Sequence, residues 1–335
     1  MTMVTMVINA SNSAVFKHVQ AQAPDVIFDC NVLCSTNLVG LLTLPIWFRR
    51  DLTPDKLRAV GCRRWLALLV GTLLFQVVGP FFFLKGLAGT SVAQAAVLAR
   101  LDQVEFYVFA LCLLGEKLNA WDAAANALTL LAVVLTLTVA PLFGTPIALD
   151  SSSILVIVST FGYSGSLLVS KKFLTKVPIG IVSVFRLLVG TLAFHLYVLA
   201  VGGRDGLSRL FAPELWQHMW WYGLVYVTLF QGLWLTVLAR VPPPLISLGS
   251  STRFPMTLAF GIAINRDMPS GSQWVGGAVM VLALGVGSVK VVRQLRQQRS
   301  AQTSTASDAE PSAVAEEEEP GEEPVAASAA VTTPA

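Results

Sequence analysis

Six ionisable side chains interrupt otherwise apolar stretches of this chain: Asp29, Arg100, Asp102, Glu105, Arg186 and Arg253. If those stretches cross hydrocarbon, each charge near the midplane costs about 3 kcal/mol, so each must face the bundle interior or water. Two carboxyls in such a place can carry a proton or hold a cation. Guanidinium groups match the planar geometry of a carboxylate or phosphate. Asp102 and Glu105, three residues apart, project to similar sides of a helix, and Arg100 is expected to point roughly opposite. Gln76 and Gln231 are cheaper to bury and offer both donors and acceptors, for a substrate or for a neighbouring helix.

The residues for covalent or metal chemistry are not assembled. His18, His195 and His218 are scattered, and no histidine or second cysteine pair joins Cys30, Cys34, Cys62 and Cys112 in a zinc-type spacing. No His/Asp/Glu cluster or Ser/Lys dyad marks a membrane-interface enzyme. The glycines 276, 277, 285 and 287 lack the preceding strand of a phosphate-binding loop and read as helix packing. The expectation is therefore no catalytic residue, no metal and no cofactor.

What positions the charges is a duplicated scaffold. Leu74-Phe75-Gln76 precedes Lys85 as Leu229-Phe230-Gln231 precedes Arg240; Lys17 precedes Pro24 as Lys171 precedes Pro178. Glu116-Lys117-Leu118-Asn119 has its counterpart in Asp267-Met268-Pro269-Ser270. The offsets are 155, 154 and 151, so the register slips only in connections. The last offset aligns Asp102 with Arg253, which makes a pair across a pseudo-two-fold axis geometrically reasonable. Similar halves in an apolar chain imply a substrate site between two repeats.

Hydrophobic residues make up 54% of the chain, charged residues 13%, and mean hydropathy is +0.67, values outside those of soluble domains. Ten spans are predicted, near 2–16, 27–48, 65–84, 91–114, 121–140, 152–170, 178–201, 217–239, 245–264 and 272–291, with most tryptophans at their boundaries. Alternate connections hold fifteen and five Lys or Arg residues, which places both termini in the cytoplasm. Five spans per half then force opposite orientations. The fold class expected is an all-α polytopic membrane protein, with about ten transmembrane helices as two inverted five-helix repeats, 1–141 and 142–299. Residues 300–335 carry eight acids and no Lys or Arg, and read as a disordered acidic cytoplasmic tail. The basic residues lie at helix ends rather than in an aromatic-interleaved patch, so no nucleic acid is expected.

The segment from Ala95-Ala96-Val97-Leu98 through Gly115-Glu116-Lys117-Leu118-Asn119 to Ala125 resembles the small-residue helix, Gly-Glu turn and following helix of the drug/metabolite transporter superfamily, EamA-like branch. Arg253-Phe254-Pro255-Met256, Asp267 and Gln273-Trp274-Val275-Gly276-Gly277-Ala278 look like its second copy, and Ser183 to Leu188 like the family's arginine-bearing seventh helix. The resemblance covers about residues 1–292. It implies a central cavity, alternating access for a small metabolite, and a lining drawn from Asn12, Gln76, Asp102, Glu105, Tyr163, Gln231 and Arg253. Two departures stand out: Val104 where the family commonly has proline, and Asn265-Arg266-Asp267 in place of the second Gly-Glu turn.

The function expected is a secondary-active or facilitative carrier of small organic metabolites, such as amino acids, related metabolites or toxic analogues, in the plasma (inner) membrane. A sugar-phosphate or nucleotide-sugar exchanger is the alternative within the same class, and a non-transporting or enzymatic membrane protein the remote one. Expected partners are a small-molecule substrate and the lipid bilayer, with a homodimer left open. For the charges two readings are open: Asp102 and Arg253 as an ion-pair strut, or Asp102, Glu105, Arg186 and Arg253 meeting a proton or substrate.

Overall fold

A chain this apolar can bury its backbone polar groups in hydrocarbon only by satisfying them within helices. The computed structural model describes residues 2–22, 29–115, 120–143, 149–241 and 252–309, and these form helices joined by short turns, with no strand among the described residues. We number the helices α1 (Thr2–Gln22), α2 (Asp29–Trp47), α3 (Cys62–Gly89), α4 (Val92–Leu98), α5 (Leu101–Leu114), α6 (Ala120–Thr138), α7 (Ser151–Phe173), α8 (Ile179–Arg209), α9 (213–240), α10 (Arg253–Asn265) and α11 (Gly271–Ala309). A one-turn helix, Pro54–Arg58, lies before α3. Six of the helices, α2, α3, α6, α7, α8 and α11, contain a stretch long and apolar enough to cross a membrane.

Several boundaries differ from expectation. The first helix is not short: α1 runs 21 residues through its polar stretch, where Ser11 and Asn12 find hydrogen-bond partners on a neighbouring helix. The stretch 91–114 is not one helix. After Leu98 the bonds tighten from i→i−4 to i→i−3, with Arg100 N–H to Val97 O (3.1 Å) and Gln103 N–H to Arg100 O (3.2 Å), and the axis restarts at Leu101. The last helix continues past 291 to Ala309, so residues 300–309 are helical; the acidic run at 316–323 lies outside the described residues. The chain divides into a compact unit, Met1–Val291, and a second unit, Val292–Ala335.

The halves pack reciprocally. α5 lies on α7 as α10 lies on α1, α3 on α7 as α9 on α1, and α3 on α8 as α9 on α2; α2 and α8, which are each other's counterparts, pack together. α3 and α9 each contain a π-helical stretch, Leu73–Val78 and Gly223–Leu229. α5 and α10 both end on a left-handed residue 151 positions apart, Gly115 (φ 66°) and Arg266 (φ 54°). At the second, Arg266 N–H bonds Ile262 O, the 5→1 bond of an αL-type cap, and Asp267 N–H reaches back to Gly261 O. The turn that departs from the family's Gly-Glu sequence therefore keeps its geometry, on a residue that carries a left-handed penalty.

Exposed Leu42, Ile46, Leu66, Leu192 and Leu196 cover the outside, while Asn37, Gln76, Gln94, Arg100 and Ser164 are buried. That inversion of the soluble pattern suits a hydrocarbon solvent. Helices α3 and α7 cross closely, backbone against backbone. A Cβ on Gly86 would stand 2.6 Å from the Ser152 carbonyl oxygen, and one on Gly162 would stand 2.9 Å from Gly79 N and Leu74 O.

This packing sets two expectations for stability, each checked by thermal unfolding in mild detergent. Gly86→Ala lowers stability by about 1–3 kcal/mol, as overpacking against backbone does, whereas Gly285→Ala, with open space around its Cβ, costs nothing. Arg266→Gly raises stability by roughly 0.5–1 kcal/mol, the left-handed penalty less the added freedom of the unfolded chain.

Candidate functional site

The break between α4 and α5 collects the charges that the sequence singled out. Asp102 lies in the first turn of α5, where the positive end of the helix dipole favours a carboxylate. One turn on, Glu105 faces α7, and the hydroxyls of Thr160 and Ser164 donate to its two carboxyl oxygens at 2.7 and 2.8 Å. Arg100, in the turn itself, is buried, and it stands close enough to Asp102 and Arg253 to interact with both charges. The break thus leaves Arg100 buried beside the start of α5, within electrostatic range of Asp102.

Arg253 opens α10, the counterpart half-helix. It lies within electrostatic range of Asp102, Arg100 and Tyr163. No ion pair within 4 Å joins Asp102 to Arg253 among the described residues, and Asp102 Oδ1 is sealed from solvent without a hydrogen-bond partner in the protein. Tyr163, on α7 between Thr160 and Ser164, stacks edge-on against Phe75 (5.6 Å) and lies over the backbone of Gly79. Asp102, Glu105, Tyr163 and Arg253 therefore share one locality, with Arg100, Thr160 and Ser164 added.

The remaining predicted residues go elsewhere. Arg186 donates to Ser170 Oγ (3.0 Å) and Ser166 Oγ (3.3 Å), and its guanidinium sits 4.4 Å from the Phe75 ring centroid. It reaches the locality only through Phe75. Gln76 donates to Asn37 Oδ1 at 2.6 Å and packs under Gly190, which ties α3, α2 and α8 together. Gln231 is half-buried in α9 just beyond the π stretch; Gln76 lies within its own. Asn12 accepts from the Tyr222 hydroxyl, and neighbouring Ser11 meets Tyr226 at 3.0 Å, forming a second polar layer between α1 and α9. His195 bonds the carbonyl of Thr191, in its own helix, at 2.7 Å.

A polar network joins the halves where α1, the start of α4 and the turn after α10 meet. Asp267 accepts from the backbone N–H of Val92, capping α4 at 2.8 Å, and also pairs with Lys17 of α1 at 3.3 Å. Lys17 donates as well to the Thr90 carbonyl (2.9 Å), and Gln273 donates to Ser91 Oγ and Gln94 Oε1. The first-repeat counterpart of Asp267, Glu116, lies outside the described residues.

Sequence reasoning missed Thr160, Ser164, Ser11, Tyr222, Tyr226 and Lys17. Thr160 and Ser164 carried a usable signal, since they are four apart on one face of α7 with Tyr163 between. Tyr222 and Tyr226 share that spacing. Lys17 carried none: a basic residue at a span end looks the same whether or not an acid faces it.

A family model described as the EamA-like transporter family matches residues 1–138 and again 151–288. A protein of Synechocystis sp. described as an uncharacterized transporter is 26% identical over 261 residues, 76% of this chain and 74% of its own length. A solved chain described as the crystal structure of a protein has the same fold at TM-score 0.56 and 18% identity, covering 87% of this chain and 96% of itself. With one family unit matched on each half of an apolar helical bundle, the chain belongs to the EamA-like transporter family of integral membrane proteins.

Proposed function

We propose that the protein is a carrier of small organic solutes bearing both an amine and a carboxylate, amino acids and their analogues, working by alternating access between two inverted five-helix repeats with both termini cytoplasmic. The observation that carries this is the opposed charge at the α4–α5 break: the Asp102 carboxyl within electrostatic range of the Arg100 and Arg253 guanidiniums, with Glu105 one turn further on and Asp102 and Arg253 near but not in contact. A strut requires direct contact to offset the desolvation of two buried charges. Charges held apart on separate helices can instead be bridged by a zwitterion, whose ammonium meets Asp102 and whose carboxylate meets Arg253.

Asp102 and Glu105 also set a limit on the substrate. With Asp102 beside the two guanidiniums and Glu105 one turn on, the locality lacks the net positive charge that a polyanion requires, which weighs against a sugar phosphate or nucleotide sugar. Glu105 differs from Asp102 in being held by two hydroxyls on α7. It couples that helix to α5, so a change in its charge is felt by both. Gln76, Gln231, Asn12 and Arg186 support the lining by fixing the helices around it.

Alternating access needs a seal that opens. The Lys17–Asp267–Val92 network spans both repeats at the end opposite the basic loops, and it is the seal on the non-cytoplasmic side in the topology proposed here. Loss of one ion pair and one cap weakens it by roughly 1–2 kcal/mol.

A panel of amino acids, sugar phosphates and nucleotide sugars, screened by melting temperature in detergent, tests the substrate. A zwitterionic amino acid raises apparent stability, by about 2.7 kcal/mol at a hundredfold excess over its dissociation constant. Asp102→Asn and Arg253→Gln fold normally yet lose that shift by at least tenfold in apparent affinity. Retention of the full shift in both variants, or a shift only with phosphates, refutes the assignment. The seal is tested separately, in a background freed of the four native cysteines and carrying Ser91→Cys. Adding Asp267→Asn speeds labelling by a membrane-impermeant thiol reagent about five- to thirtyfold; an unchanged rate means that the network is not the seal.

A further inference from the structure

At the opposite end of the bundle a second charged feature is built from both halves, far in sequence from the groups above. The start of α3 and the end of α7 enclose an open cleft of about 580 Å³ lined by Gly61, Arg63, Arg64, Lys172, Phe173 and Lys176. Four cations and no acid line it. The nearby basic residue Lys56 has an acid, Asp51, at 3.1 Å, whereas no ion pair within 4 Å involves the cleft's cations among the described residues. The floor is an aromatic ring: the Arg63 guanidinium stands 5.5 Å, and the Lys172 ammonium 5.9 Å, from the centroid of Phe173. Helix α3 begins at Cys62 with Gly61 as its N-cap, which supplies no side chain to the first turn, so the helix presents its positive end here.

The surroundings decide what kind of anion fits. Leu66, Leu69, Val70 and Leu73 are all exposed and follow the helical spacing i, i+3, i+4, i+7 up one side of α3. Arg63 stands one turn before Leu66, so the apolar stripe runs directly into the cleft. A soluble anion has nothing to place on that stripe. A lipid does, with its phosphate among the cations and its acyl chain along the leucines.

We propose that this cleft is a specific site for an anionic phospholipid of the cytoplasmic leaflet, with the headgroup phosphate held by Arg63, Arg64, Lys172 and Lys176. The site joins the first helix of the second repeat to the third helix of the first repeat. Occupancy therefore ties the halves together on the side opposite the Lys17–Asp267 network. The proposal is independent of the identity of the transported solute.

Delipidated full-length protein in detergent is titrated with phosphatidylglycerol, phosphatidylcholine or inorganic phosphate, and melting temperature and lipid adducts in native mass spectra are recorded. Phosphatidylglycerol raises the melting temperature and leaves one preferred adduct; phosphatidylcholine and inorganic phosphate do neither. Arg63→Gln with Lys172→Gln weakens the apparent affinity at least tenfold, while Arg49→Gln with Arg50→Gln, which removes equal charge outside the cleft, changes it less than twofold. Equal weakening in the two double variants overturns the proposal in favour of diffuse surface attraction. A shift with inorganic phosphate alone overturns it in favour of a soluble ligand. An adduct distribution for wild type that does not distinguish the two lipids also overturns it, whether or not the variants fold.

Discussion

Hydrocarbon offers no hydrogen-bond partner, and that single constraint organises this molecule. A polar side chain not satisfied along its own helix is stabilised by a partner on another, so many of the polar residues mark where the helices touch. Gln76 on Asn37, Glu105 on Thr160 and Ser164, Arg186 on Ser166 and Ser170, and Asn12 on Tyr222 each join a different pair of helices. Small residues let the helices approach closely enough for these contacts, as at Gly86 and Gly162 between α3 and α7. Leucine and valine are left to face outward.

On this scaffold the duplication is close to symmetric in packing and asymmetric in chemistry. Reciprocal helix packing repeats in the two halves, and both α5 and α10 end on a left-handed residue. Yet the counterparts of Glu105, Thr160 and Ser164 at offsets of 151 and 154 are Met256, Met6 and Ala10. The junction of α5 with α7 is a carboxyl held by hydroxyls, and the equivalent positions of α10 and α1 are apolar. Asp102 and Arg253 are counterparts of opposite charge. Symmetry brings them near one another, and their difference makes the locality dipolar, which is what a zwitterion requires.

The chain breaks its helices where chemistry is needed without the residue that usually breaks them. No proline stands in 91–114; tightened backbone bonds after Leu98 make the turn instead. The consequence is a helix start, with the positive end of its dipole, close to Asp102 and Arg100 inside the bundle. The same logic holds at the α4 N-terminus, where Asp267 of the other repeat supplies the cap that α4 cannot supply entirely for itself.

Much of this was legible in the amino-acid order because composition and period are set by the solvent. An apolar chain with charge at span ends must be a helical membrane bundle, repeated motifs at offsets of 151–155 must be a duplicated unit, and rare charges such as Asp102, Glu105 and Arg253 must face inward. The alignment of Asp102 with Arg253 even located their proximity, since counterpart positions meet near a pseudo-two-fold axis. Contact is another matter. That Arg100 is buried within electrostatic range of Asp102 and Arg253 depends on a helix break no residue type announces, that Asp102 and Arg253 stop short of a pair depends on helix spacing, and that Lys17 finds Asp267 depends on two segments 250 residues apart in the chain. Hydrophobic period selects which face of a helix is buried, but only the packed bundle decides which atom that face meets.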